Sequence, residues 1–186
     1  MTGMRPIQTS RLLLRRFTPG DAVALFDYLH RPAVDCFLSL QLADLDAAAR
    51  MAYDRSGSEE WVAICLREDG RLIGDLYVMA DKDADTFSVG WNLNPRFAGA
   101  GYASEATQAL LEDLFGSGKA RRVFAWVETD NLASQRLCHK LGMRLEGTFK
   151  AFTSFRNDPR GEPVYVDTQQ YALLREEWRQ TGPVCT

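Results

Sequence analysis

Between Phe87 and Leu114 the hydrophobic pattern changes its period across a ten-residue loop, and few folds accommodate that change. Upstream, Phe87, Val89, Trp91 and Leu93 alternate with Ser88, Gly90 and Asn92, the period of two expected of a strand. Downstream, Ala103, Ala106, Leu110, Leu111 and Leu114 recur at helical spacing. The junction reads Asn94-Pro95-Arg96-Phe97-Ala98-Gly99-Ala100-Gly101-Tyr102-Ala103. Pro95 lacks an N–H and stops the strand. Gly99 and Gly101, one small residue apart, let backbone approach a ligand closely. A helix start adds unpaired N–H groups and partial positive charge. The segment is therefore suited to a phosphate or pyrophosphate, and Arg96 can add a charged contact. Taken alone, a glycine pair is equally well explained as a tight turn.

The flanking sequence predicts helices interleaved with strands. Arg11 to Phe17 reads as a first strand. Thr18, Pro19 and Asp21 supply a cap, a first helical residue and a first-turn acid for a helix carrying Leu25, Phe26 and Leu29, closed by Pro32. A second helix spans about Asp44 to Tyr53. Trp61 to Arg67 and Arg71 to Met79 form a hairpin over Asp69-Gly70, followed by a charged loop, Asp81 to Asp85. Beyond the glycine loop, Gly116 and Gly118 stop the helix. Val123 to Val127 is a strand, and Asp130 or Asn131 caps a helix carrying Ala133, Leu137 and Leu141 that ends at Gly142. Met143 to Phe149 and Val164 to Leu173 are final strands, separated by a polar loop from Thr153 to Pro163. The expected fold class is α/β (α+β), with a mixed, mainly antiparallel central sheet. No linker divides the 186 residues, which read as one domain with a core at about residues 9–178.

Composition excludes several functions. An apolar fraction of 46% with 25% charged residues is globular, not disordered, collagen-like or coiled-coil. A net charge of −3 provides no global basic field for nucleic acid or anionic lipid. No apolar run approaches the roughly 18–20 residues of a membrane span. Leu12-Leu13-Leu14 is too short for a signal-peptide core, so a cytoplasmic protein is expected. Cys36, Cys65, Cys138 and Cys185 are scattered and read as reduced thiols. With His30 and His139 as the two histidines, no metal site is expected.

Two phosphate-loop families fail on the letters. No lysine follows either glycine, as a Walker loop requires. A dinucleotide fingerprint needs a third glycine where Ser104 stands, and its strand should be a buried parallel one without alternation. Arg96-x-x-Gly99-x-Gly101 instead resembles the acyl-coenzyme A pyrophosphate loop of the GNAT N-acetyltransferase superfamily. Downstream, Asn131-x-x-Ser134-x-x-x-Cys138-x-Lys140-x-Gly142-Met143 is similar to a second segment of that superfamily. The ends, Thr9-x-Arg11-Leu12-x-Leu14-Arg15 and Gly161-x-x-Val164-x-Val166-Asp167-Thr168, resemble the branch that acetylates ribosomal-protein N-termini.

The resemblance implies a sheet splayed between two neighbouring strands to bind acetyl-CoA, with helices on both faces. Backbone at Leu93 and Asn94 would bond the pantetheine and polarise the thioester carbonyl, stabilising an oxyanion. Residues Phe97, Ala98, Gly99, Ala100, Gly101, Tyr102 and Ala103 would hold the pyrophosphate, and Asn131 would contact the donor from the next helix. An amine would attack the thioester directly. Many relatives carry a tyrosine acid where Cys138 stands; a thiol is a weak donor, so Ser134, one turn earlier, is the candidate hydrogen bond to the coenzyme sulfur. The glutamate base of some relatives is replaced by Trp126, leaving Glu105, Glu128, Asp75, Asp167 or a water as base; Glu105 reads equally as a complement to the helix dipole. Phe37, Trp61, Tyr77, Trp91 and Trp126 are either core or acceptor-pocket walls. The acceptor is a protein N-terminus or a small amine. Asp35, Asp44, Asp46 and the 81–85 loop favour a cationic one. A non-catalytic acyl-CoA sensor is the rival reading, and a homodimer covering a sheet edge is a further expectation.

Overall fold

A computed structural model of the chain describes residues 5–181. Its strands are β1 (Ile7–Gln8), β2 (Leu12–Arg16), β3 (Trp61–Leu66), β4 (Leu72–Ala80), β5 (Thr86–Leu93), β6 (Arg122–Glu128), β7 (Arg144–Asn157) and β8 (Pro163–Leu174). Its helices are α1 (Ala22–Leu29), α2 (Leu45–Gly57), α3 (Tyr102–Gly116), α4 (Leu132–Lys140) and α5 (Arg175–Thr181). The eight strands follow the order β1-β2-β3-β4-β5-β6-β8-β7. β5 and β6 run parallel, whereas β1–β2, β2–β3, β3–β4, β6–β8 and β7–β8 are antiparallel. The sheet is thus mixed and mainly antiparallel, as the sequence predicts.

Two compact units share these elements. The first gathers residues up to Val78 with Trp91–Ala109; the second holds Met79–Gly90 and the chain from Leu110 onward. In the first, Leu25, Tyr28 and Leu29 of α1 and Ala48 and Ala52 of α2 recur three or four residues apart, and all are buried with Phe17, Leu42, Ala63, Cys65 and Leu72. That is the apolar stripe of an amphipathic helix pair. Fully burying each leucine contributes about 1.5–3 kcal/mol. Asp44 caps α2, its Oδ1 accepting from Ala47 N at 2.7 Å. The helix continues to Gly57, one turn past the expected Tyr53, because Arg55 is buried rather than solvated.

The residues expected to begin α1 form a 3-10 turn, Pro19–Asp21, just ahead of it, with an ion pair added. Asp21 Oδ2 accepts from Thr18 N at 2.7 Å, and Arg15 donates to both Asp21 oxygens at 2.7 and 2.8 Å. Burial pushes this carboxyl up, but the Arg15 guanidinium and the Thr18 amide outweigh it and hold the group below its ordinary value. The folded state therefore binds the Asp21 proton more weakly than the unfolded chain does. Its stabilisation is present above the unfolded pKa of about 3.9 and is lost as pH falls through the lower folded value. Asp21→Asn is expected to lower the unfolding free energy by about 2–4 kcal/mol at pH 7. The deficit should shrink towards pH 3 in urea titrations; an unchanged deficit at pH 3 would contradict the ion pair as its source.

The second unit departs from expectation at its hairpin. β7 runs on to Asn157, so the expected Thr153–Pro163 loop contracts to a turn in which Asp158 Oδ1 accepts from Arg160 N and Glu162 N. The extension was hidden because β7 changes register against β8 three times and passes through Ala151 at φ 46°. Bulges of this kind break the period of two. α5 follows β8 directly and was not predicted. The α4 cap is Asn131, whose Oδ1 accepts from Ser134 N at 3.1 Å.

Candidate active site

The strand–loop–helix junction of the first unit is organised around Asn94, which is only 4% exposed. Its N–H donates to Ile73 O at 2.8 Å, its Oδ1 accepts from Arg96 N at 3.1 Å, and its Nδ2 donates to Asp27 Oδ2 at 2.8 Å. One amide side chain therefore ends β5, starts the turn Pro95–Phe97 and fastens both to α1. Gly99 and Gly101 follow at φ +81° and +83°, in the left-handed region that side chains strain to adopt. α3 begins at once, with Glu105 N donating to Gly101 O at 3.0 Å. The amides ahead of Glu105 have no acceptor within the helix and belong to its electropositive end. Exposed backbone donors on a glycine loop fit the pyrophosphate of a coenzyme A thioester.

Close approach of β4 to β5 fixes where that loop starts. A Cβ added to Gly74 would collide with the carbonyl oxygen of Asn92 and lie 3.0 Å from Leu93 Cα. Arg96, expected to face the phosphate, is exposed and donates to Asp27 Oδ2 at 3.2 Å, so any phosphate contact must draw it from that carboxylate. Glu105, a candidate base, has both oxygens occupied. Oε1 accepts from Thr9 Oγ1 at 2.5 Å, Ser10 Oγ at 3.1 Å and Arg11 N at 3.0 Å, and Oε2 accepts from Arg11 Nε at 2.7 Å. Burial raises this carboxyl, but the Thr9 and Arg11 donors prevail and hold it below the ordinary range. A carboxylate so satisfied is a poor proton acceptor, which corrects the expectation of Glu105 as base.

Asp75 is equally unsuited to that role. It is 2% exposed, accepts from Tyr28 O–H at 2.6 Å and pairs with Arg55 Nη1 at 3.3 Å. Burial pushes its pKa up, against the opposing pull of Arg55. The Arg55 guanidinium lies 3.7 Å from the Trp61 ring centroid and 5.3 Å from that of Phe17. Its terminal nitrogens are buried and make no hydrogen bond among the described residues. A cavity of about 410 Å³ beside it is lined by Leu40, Leu42, Met51 and Trp61.

In the second unit, the paired register of β5 with β6 runs from Thr86↔Arg122 to Ser88↔Phe124 and no further, whereas β6 pairs with β8 along its whole length. Trp126 stands beyond the paired stretch, stacked on Phe152 at 5.0 Å and edge-on to Phe149 at 5.3 Å. It helps line a second cavity, of about 480 Å³, with Asp81, Thr86, Ser88 and Phe124. Asn131 and Ser134 are brought together in the first turn of α4, where Ser134 is half-buried. Asp167 accepts from Lys150 Nζ at 2.7 Å and Ala151 N at 2.9 Å, and Lys150 draws its pKa down.

A family profile for an acetyltransferase (GNAT) domain matches residues 11–144. The chain belongs to the GNAT acetyltransferase family. Among its relatives, the uncharacterized N-acetyltransferase YnaD of Bacillus subtilis (strain 168) is 34% identical over 173 residues, 92% of this chain and 98% of the relative. A solved GNAT-family acetyltransferase from Bacillus anthracis superposes with a TM-score of 0.82 at 29% identity, covering 92% of this chain and 99% of the other. A ribosomal L7/L12 alpha-N-protein acetyltransferase, solved in complex with coenzyme A, shares the fold with a TM-score of 0.76 at 19% identity, covering 91% and 98%. The protein is an acetyl-CoA-dependent N-acetyltransferase acting on an amine.

In this GNAT acetyltransferase, sequence reasoning named the glycine loop, Asn131 and Ser134 as candidates and gave no role to Arg11 or Asp27, whose side chains meet the loop segment. Arg11 Nη1 donates to Ala100 O at 2.9 Å, and its guanidinium lies 4.5 Å from the Tyr102 ring centroid. Neither residue lies near the loop in sequence; Arg11 stands in the Thr9–Arg15 resemblance without an assigned role, and Asp27 stands in no pattern. Cys138, at the family's tyrosine position, is fully buried, and burial pushes its thiol up to about 12; Cys65 is likewise raised to about 11. Both are core sulfurs, unsuited to donating a proton. Cys185 lies outside the described residues. No group of three or more potential metal ligands clusters among the described residues, and no helix there is long and apolar enough to cross a membrane.

Proposed function

We propose that the chain works in the cytoplasm as one acetyltransferase domain that acetylates a primary amine, either a protein N-terminus or a small cationic molecule, by direct attack on the thioester. The observation that carries this is Gly99 and Gly101 at positive φ opening α3 immediately after β5. Acetyl-CoA supplies an activated acetyl group whose carbonyl carbon forms the new C–N bond as the C–S bond breaks. The amides from Gly99 to Ala103 bind its pyrophosphate, those of Phe97 and Ala98 being taken up by Asn94 O and Pro95 O; backbone at Leu93 orients and polarises the thioester, the Asn94 N–H being held by Ile73 O. Asn131 contacts the donor from α4. Ser134 donates a hydrogen bond to the departing sulfur, which takes up one proton as the amine releases one. Glu105, Asp75 and Asp167 are each held by internal donors, so the amine proton passes to Glu128 or to water. Trp126, Phe149 and Asp81 offer an aromatic and acidic surface for a cationic acceptor, with Arg122 of the same cavity paired to Glu146. A second copy pairing on an edge strand, β1 or β7, would complete a homodimer, which sedimentation velocity reads directly.

Calorimetric titration with acetyl-CoA tests the loop. Wild type should bind in the micromolar range, and Gly101→Glu, which combines a strained φ with a negative charge, should abolish binding. Absence of binding by wild type would overturn the assignment of the loop. Ser134→Ala should bind acetyl-CoA normally while thiol release over an amine panel falls by about 10²-fold. Undiminished release by that variant would remove Ser134 from the chemistry.

A further inference from the structure

The geometry points to Arg11 as a positioning residue of the donor site, one that covers the charge of Glu105 and fixes the Gly99–Gly101 loop so that its amides face an anion. This rests on reading residues 94–103 as the pyrophosphate loop. Glu105 lies in the first turn of α3, the end of the helix that the loop exposes. A carboxylate there complements the helix dipole. Left uncovered, it would also repel the doubly charged group the loop is built to receive.

Arg11 resolves that conflict with all three guanidinium nitrogens. Nε and Nη2 each lie 2.7 Å from Glu105 Oε2, and Nη1 donates to Ala100 O at 2.9 Å. That carbonyl belongs to the residue between the two glycines, so one side chain joins the first turn of α3 to the middle of the loop. The guanidinium also lies over Tyr102, and Nη2 would be 3.5 Å from a Cβ placed on Gly101. Thr9 and Ser10 occupy the remaining carboxylate oxygen, which anchors the segment before β2 to α3. A planar fork is required: a lysine ammonium on one stem cannot reach Glu105 and Ala100 with fixed geometry.

Removing Arg11 should therefore act mainly by uncovering a charge. Calorimetry with acetyl-CoA at low ionic strength should show Arg11→Ala binding about tenfold more weakly than wild type, with the deficit shrinking as salt is raised. Arg11→Ala/Glu105→Gln should return to within about threefold of wild type, because the neutral amide no longer repels the pyrophosphate. Loss of a merely structural contact would not be rescued by that second substitution. Urea midpoints of both variants identify any loss of folded protein. The inference is overturned if Arg11→Ala binds like wild type, or if the double variant stays as weak as the single one. Failure of wild type to bind acetyl-CoA would instead overturn the loop assignment itself.

Discussion

Gly74→Ala is expected to destabilise the protein by about 3 kcal/mol or more and to abolish acetyl-CoA binding in whatever fraction still folds. The added methyl meets backbone, namely the Asn92 carbonyl oxygen and Leu93 Cα, which cannot rotate away as a side chain would. β4 and β5 are hydrogen-bonded neighbours at this point, with Asn94 N donating to Ile73 O. Relief requires the strands to part at the residues proposed to orient the thioester. Urea denaturation reads the first effect and calorimetry the second. A destabilisation below about 1 kcal/mol would mean that the two backbones do not approach as closely as described.

The second large effect concerns the buried pair Arg55–Asp75. Arg55→Ala should cost about 3–5 kcal/mol at pH 7, because the buried Asp75 loses the cation that offsets its burial. Trp61 also loses the guanidinium packed on its face. The pH dependence has a definite sign. Asp75 titrates above its unfolded value because burial disfavours the charged form, and removing Arg55 raises it further. Between the two pKa values the folded state binds more protons than the unfolded chain, so the stability of the variant rises as pH falls through the folded value. The deficit against wild type should accordingly be smaller at pH 5 than at pH 8. Arg55→Ala/Asp75→Asn should recover much of the loss at pH 8 and show no such slope. A deficit independent of pH in the single variant would assign the effect to packing alone.

How much of this was legible depended on whether the deciding contact was local. The helix starts at Thr18, Asp44 and Asn131 were legible because capping is written within four residues. The glycine loop was legible because a change of period and two glycines coincide. β5 was read correctly as a strand but not in its surroundings. Its alternation suggested two unlike faces, yet none of its residues is exposed, and Thr86 and Asn92 are buried with Val89. The same alternation argued against parallel pairing, yet β5 does run parallel to β6, over three residues, too few to impose a continuous apolar pattern. Glu105 was misjudged because its partners stand more than ninety positions away in Thr9, Ser10 and Arg11. The far half of β7 was lost to bulges that no local pattern announces.

The two core sulfurs carry a practical corollary for any assay that follows coenzyme A release with a thiol-reactive dye. Cys65 and Cys138 are each completely shielded, and their thiolates form only under strongly alkaline conditions. In native enzyme they are silent to the reagent, and they become visible only when the fold opens. Growth of the enzyme's own colour beyond the two equivalents that Cys36 and Cys185 can supply, recorded without substrate, thus counts unfolded molecules in the same cuvette that counts turnovers.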